Sequence, residues 1–226
     1  MTVWSPAFPT RRQLWDGVVL GTIAHSIWQA SDEEFAPDQQ WDGHNYGLNN
    51  EQGARGTITF APEGVVGVFC DVRSVRNPWH SEVPYDPHTF LATAPGPLLA
   101  IAERETLQYQ LFDFRGAVAP VITAAFWSQG ERLTAAEPWS TVVVNGAHLL
   151  RIQLMETERA VGEWQENYEF SIAQVALLRT LFERRVALRD LPIRLQSEEL
   201  VVLKAAGDAG IERSRSLLEA IGILLG

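Results

Sequence analysis

Gly56-Thr57-Ile58-Thr59-Phe60-Ala61-Pro62-Glu63-Gly64-Val65-Val66-Gly67-Val68-Phe69-Cys70-Asp71-Val72 is two runs rich in β-branched and aromatic residues, separated by a proline- and glycine-bearing turn. That is the pattern of a β-hairpin. Period two puts Ile58 and Phe60 on one face of the first strand, and Val66, Val68 and Cys70 on one face of the second. Upstream, residues 46–50 read as a short third strand, with 49–53 as its turn. Downstream, the five prolines of 77–97 suppress regular structure and predict a long loop of fixed shape.

Helical patterns flank this hairpin. Residues 10–29 put Val19, Leu20, Ile23, Ala24, Ile27 and Trp28 on one side, and Thr22, His25, Ser26 and Gln29 on the other. Residues 98–114 divide near Glu105 into a helix and an alternating strand carrying Leu107, Tyr109 and Leu111. Residues 121–127 and 142–155 are apolar without a decisive period. The 170–188 segment carries a stripe of Val175, Leu177, Leu178, Leu181 and Phe182. Two shorter helices follow: one has Ser197 as its N-cap and Gly207 as its stop, and the other spans 211–225 with Leu217, Leu218, Ile221, Leu224 and Leu225 on one arc. The expected fold class is therefore α+β: a small antiparallel sheet around 56–72 packed with several helices, and a helical C-terminal third. The expected organisation is an α+β body over 1–169 and a helical subdomain over 170–226. The terminal arc is expected to dock on its own chain, with a homodimer through that helix as the alternative.

Composition narrows the functions. The formal charge is −10, a sign that repels nucleic-acid phosphates and favours encounter with a basic protein partner. Arg213 and Arg215 open the last helix, but Glu212 and Glu219 share it, so a helix-turn-helix reading lacks the basic stripe that DNA binding requires. No stretch is long and apolar enough for a membrane span. The N-terminal residues lack a signal-peptide pattern. The single Cys70 rules out an intramolecular disulfide and fits a reducing compartment, so the expected location is the cytoplasm.

No phosphate-binding, dinucleotide-binding, metalloprotease, nucleophile-elbow or dithiol motif occurs, and no cofactor is expected. The residues singled out lie in two loops. Trp41, Asp42, His44 and Tyr46 crowd aromatic and polar groups between glycines, a composition suited to a ligand or partner surface. Arg73, Arg76, Trp79 and His80 follow directly on the second hairpin strand, with Glu82, Asp86 and His88 beyond them. His44, His80, His88 and Asp86 lack the short spacing of metal ligands, so no metal is expected. Cys70 with His80 has the residue types of a nucleophile and base, and Glu103 with Glu105 or Glu163 with Glu166 those of an acid–base pair, but an apolar strand makes Cys70 a core residue and polar helix faces leave the carboxylates solvated. The resulting expectation is a non-enzymatic protein-interaction module, inhibitor- or adaptor-like. The alternative is an enzyme or small-ligand binder built on loops 41–50 and 77–88.

Overall fold

A computed structural model of the chain describes residues 7–31, 38–80, 84–203 and 208–225. Residues 32–37, Glu82 and the expected Gly207 stop lie outside them, as does the side chain of Arg213. The fold is α+β, with a five-stranded antiparallel sheet, several helices and a helical C-terminal third. The chain forms two compact units: 1–12 with 38–151, and 13–37 with 152–226. The 170–226 segment lies wholly in the second unit, where 13–37 and 152–169 join it.

In the first unit β1 (Gln39–Asp42), β2 (Asn45–Asn49), β3 (Ala54–Ala61) and β4 (Gly64–Asp71) form a meander. The expected hairpin is β3–β4, closed at the Ala61–Gly64 pair. A two-stranded ribbon, β5 (Leu111–Phe114) with β6 (Ala117–Pro120), stands apart from this sheet, and β7 (Ala124–Ser128) completes it beside β4. Interior strand β4 is buried along its whole length, so its sequence is a continuous apolar run. Its Val66 and Val68 join Leu98, Ile101, Leu107 and Trp127 in one core cluster. On the other face, Gly56 and Gly67 lie under cross-strand aromatic rings: a Cβ on Gly67 would come 2.4 Å from the Phe126 ring.

Three expectations need correction or completion here. The proline-rich stretch holds short 3-10 turns at 78–80 and 87–91, and the helix α2 (Gly96–Arg104) begins inside that stretch with Pro97 in its first turn. Proline lacks only an N–H that a helix start leaves unpaired anyway. Residues 106–110 form a 3-10 turn rather than a strand. Thr106 and Gln110 are drawn onto the sheet by Thr59 (2.7 Å) and Thr57 (3.2 Å), and only 111–114 is extended. The undecided 142–155 segment begins within the helix α3 (Trp139–Val144) and continues as a 3-10 turn at 147–150.

The second unit contains most of α1 (Arg11–Ser31), then α4 (Thr157–Asn167), α5 (Ile172–Ala187), α6 (Ser197–Leu203) and α7 (Asp208–Ala220). The expected polar side of α1 is not solvated: Thr22, His25, Ser26 and Gln29 are all buried. Thr22 and Ser26 donate to carbonyls one turn back, at 2.8 and 2.7 Å, while His25 Nδ1 lies 3.1 Å from the Tyr168 hydroxyl. Helical back-bonding of this kind lets short hydroxyls enter a core. The α5 start carries a full capping box between Ser171 and Gln174. At α6, Glu199 reaches back to the Gln196 N–H at 2.7 Å, with Ser197 already helical rather than the cap.

The expected helix over 211–225 stops at Ala220. Gly222, at φ +76°, turns the chain so that β9 (Ile223–Leu224) pairs in parallel with β8 (Ile193–Arg194). Leu218 is 0% and Ile221 1% exposed in the single chain. The arc is therefore covered without a second copy. No helix among the described residues is long and apolar enough to cross a membrane.

Candidate functional site

The eight singled-out residues all lie in the first unit, in two groups. The β1–β2 hairpin sorts the first group onto opposite faces, because Trp41 pairs with Tyr46 and Asp42 with Asn45. Trp41 packs on Tyr46 (5.1 Å between ring centroids) and on Phe60 (5.9 Å). Tyr46 is fully buried and donates its hydroxyl to Gln39 Oε1 at 2.6 Å. Tyr46 thus belongs to the core, while Trp41 is half-buried against it.

Asp42 accepts the Tyr109 hydroxyl at 2.6 Å, and Asn45 Nδ2 donates to the same oxygen at 3.3 Å. Burial, then the bond to Asp42, pushes the Tyr109 phenol up to about 12. In the hairpin turn, His44 Nε2 lies 2.5 Å from Glu105 Oε2, and Arg104 donates to the other carboxylate oxygen at 2.8 Å. The Arg104 hydrogen bond, with smaller help from His44, holds the Glu105 carboxyl below its usual range. Such a carboxylate stays ionised at neutral pH and is a poor general acid.

The second group sits on the turn that follows β4, which is tied down throughout. Asp71 Oδ1 accepts the Arg73 N–H (2.8 Å), Ser74 Oγ accepts the Arg76 N–H (3.1 Å), and Asn77 Oδ1 accepts the Trp79 N–H (3.0 Å). Asn77 Nδ2 returns to the Val72 carbonyl at 2.8 Å, and Ser74 Oγ donates to Asn145 at 2.6 Å. Arg76 makes a two-pronged pair with Glu137, both contacts 2.6 Å. The Arg73 side chain is exposed, with no ion-pair partner among the described residues. Trp79 sets its edge on Phe112 and Phe114 yet remains 41% exposed. His80 Nε2 lies 3.3 Å from the Val72 carbonyl.

Both groups border the 106–114 segment, the first through Tyr109 and the second through Phe112 and Phe114. Between them Arg55 lies over the Phe112 ring at 3.7 Å. The three histidines considered as ligands face different partners: His44 meets Glu105, His80 a carbonyl, and His88 both Asp86 and Glu103. Among the described residues, no group of three His, Cys, Asp or Glu side chains could hold a metal. Cys70 is buried, and burial pushes its thiol up to about 11, opposite to what a nucleophile needs. Glu103 and Glu105 are likewise committed to separate partners.

Sequence reasoning missed Tyr109, whose partners lie 64 and 67 positions away. It also missed Val75, which is 93% exposed at the tip of the 71–80 turn. The signal for Val75 was present: a lone apolar residue between Ser74 and Arg76 in a turn-forming run has no strand or helix face to bury it. The α7 arginine considered for DNA, Arg215, is spent on Glu212 at 3.1 Å and Glu219 at 3.6 Å. Comparison with family models, with curated proteins and with solved structures returns no match to this chain.

Proposed function

We propose that the chain is a non-enzymatic protein-interaction module, inhibitor- or adaptor-like, that inserts the 71–80 turn into an apolar recess of a basic protein partner. One observation carries this reading: Val75 is 93% exposed at the tip of a turn whose backbone is held by its own Asp71, Ser74 and Asn77 side chains. A loop fixed beforehand loses little conformational entropy on docking, so the burial of an apolar tip is kept as affinity. Trp79 and Arg73 beside it are of the types that dominate binding energy at interfaces. The charge of −10 supplies the long-range attraction to a basic partner. The single buried thiol fits an encounter in the cytoplasm, and the acid excess speaks against nucleic acid and anionic membrane as partners.

A photo-crosslinking side chain at position 75, with one at Ile172 (88% exposed) as control, tests the proposal. The expected result is a basic protein captured from position 75 alone, whose purified form binds the chain at least tenfold more weakly after Val75→Asp and more weakly as salt rises. Identical capture from both positions, or binding indifferent to Val75→Asp, overturns it.

The alternative, a ligand site on loops 41–50 and 77–88, draws on the grouping of His44, Glu105, Tyr109 and Asp42. It requires a small molecule whose binding is lost in His44→Ala while the Val75→Asp chain keeps it.

A further inference from the structure

We propose that the second unit binds a small organic cation, an amine carrying an apolar body, in the cavity lined by α1, the 153–157 segment, α4 and α5. The cavity is about 310 Å³, at the lower end of the range for small-molecule sites, roughly 300–1,000 Å³. Its wall is mixed in a way that selects for such a ligand. Leu20 and Ala160, each 2% exposed, and the half-buried Phe182 are apolar. Gln153, 4% exposed, brings an amide, and Asp16 and Glu156 bring two carboxylates. No lysine, arginine or histidine lines the cavity.

Both carboxylates are fixed before any ligand arrives. Asp16 is paired with Arg189 at 2.9 Å, which offsets its charge, so the charge left for a cation is that of Glu156, whose Oε2 accepts the Glu158 and Arg159 N–H groups at 3.1 and 3.3 Å. Pre-set acceptors need no reorganisation on binding. The other Glu156 oxygen takes no protein hydrogen bond among the described residues. An anion is disfavoured, because the α4 N-terminal N–H groups that would attract one are already occupied by this cap. The surrounding field has the same sign: residues 13–37 and 152–226 hold sixteen acidic and nine basic side chains.

Met155 lines the cavity and is one of only two methionines, so its labelled methyl reports binding at this position. The full chain is titrated with phenethylammonium, with its neutral isostere 2-phenylethanol and with phenylacetate, following the methionine methyl signals by NMR. The expected result is a saturable shift of Met155, with phenethylammonium binding at least tenfold tighter than the alcohol and phenylacetate weakest. Glu156→Gln, an exposed substitution checked for folding by thermal melting, is expected to remove most of the ammonium preference and leave the alcohol unchanged. Three results would each overturn the proposal: equal binding of ammonium and alcohol, no Met155 response at millimolar ligand, or an ammonium affinity indifferent to Glu156→Gln.

Discussion

Cys70 shows how burial decides chemistry at the level of one residue. Its thiol is 1% exposed in a strand buried on both faces, and burial raises its pKa from 9.0 to about 11. The folded chain therefore holds this proton more tightly than the unfolded chain. The associated stability is fully present below about pH 9 and lost as pH rises through about 11, on the order of 2–3 kcal/mol. Urea denaturation at pH 8 and pH 10.5 should show a smaller alkaline loss in Cys70→Ala than in the parent, and an equal loss in both would contradict the assignment. Close approach governs Gly17 as strictly, because an added Cβ would lie 1.6 Å from the Gln153 carbonyl oxygen. Gly17→Ala should cost about 3 kcal/mol or more, since backbone must move. Gly162→Ala on α4, with nothing within 4 Å, should instead stabilise by about 0.5–1 kcal/mol. Urea midpoints of the two variants moving in the same direction would refute this contrast. Residue types alone marked out the loops expected at 41–50 and 77–88 and the residues between Arg73 and His80, but not the partners of their members: Tyr46, Arg76 and Asp42 bond Gln39, Glu137 and Tyr109. Those partners are set by strand register and by contacts across up to 67 positions, which no local pattern encodes.

Elements were legible where one period dominated. The β3–β4 hairpin and α5 follow from periods of two and 3.6 residues, and each has its turn or cap in the sequence. The 211–225 segment misled because an apolar run satisfies a helix face and a buried strand alike; Gly222 decided the matter by leaving the helix at φ +76°. Arg185 stabilises that exit, donating from a site 9% exposed to the Ile221, Leu188 and Arg189 carbonyls. Arg185→Met would leave these acceptors unpaired and should cost about 2–4 kcal/mol, read as a lower urea midpoint. An unfolding free energy within about 0.5 kcal/mol of the parent would show that water replaces the guanidinium without penalty. Leu218, 0% exposed on α7, gives the complementary test of where the arc is buried. Leu218→Asp should destabilise by on the order of 4 kcal/mol or more through lost packing and a buried carboxylate. If sedimentation instead gave a smaller particle with an unchanged melting temperature, the arc would belong to an interface between copies.

For the whole molecule, the strand and helix patterns foretold the α+β class but not the division of the chain into its two units. The second unit is assembled from 13–37 and 152–226, so a helix near the N-terminus joins residues more than a hundred positions later. A linear scan for composition shifts finds linkers between consecutive segments, and a discontinuous unit offers none to find. The acid excess is discontinuous in the same way. It is concentrated in the second unit, whereas the exposed apolar tip is in the first, so the proposed interaction would draw its long-range attraction and its short-range contact from different parts of the sequence. The account depends most on the 71–80 turn being rigid while its tip is exposed, since a mobile tip would forfeit the entropy advantage on which the interaction reading rests. Backbone amide order parameters measured by ¹⁵N relaxation test this on the protein alone: values near ~0.85 from Arg73 to Trp79, matching β4, are expected, and values below ~0.6 at Val75 would contradict it.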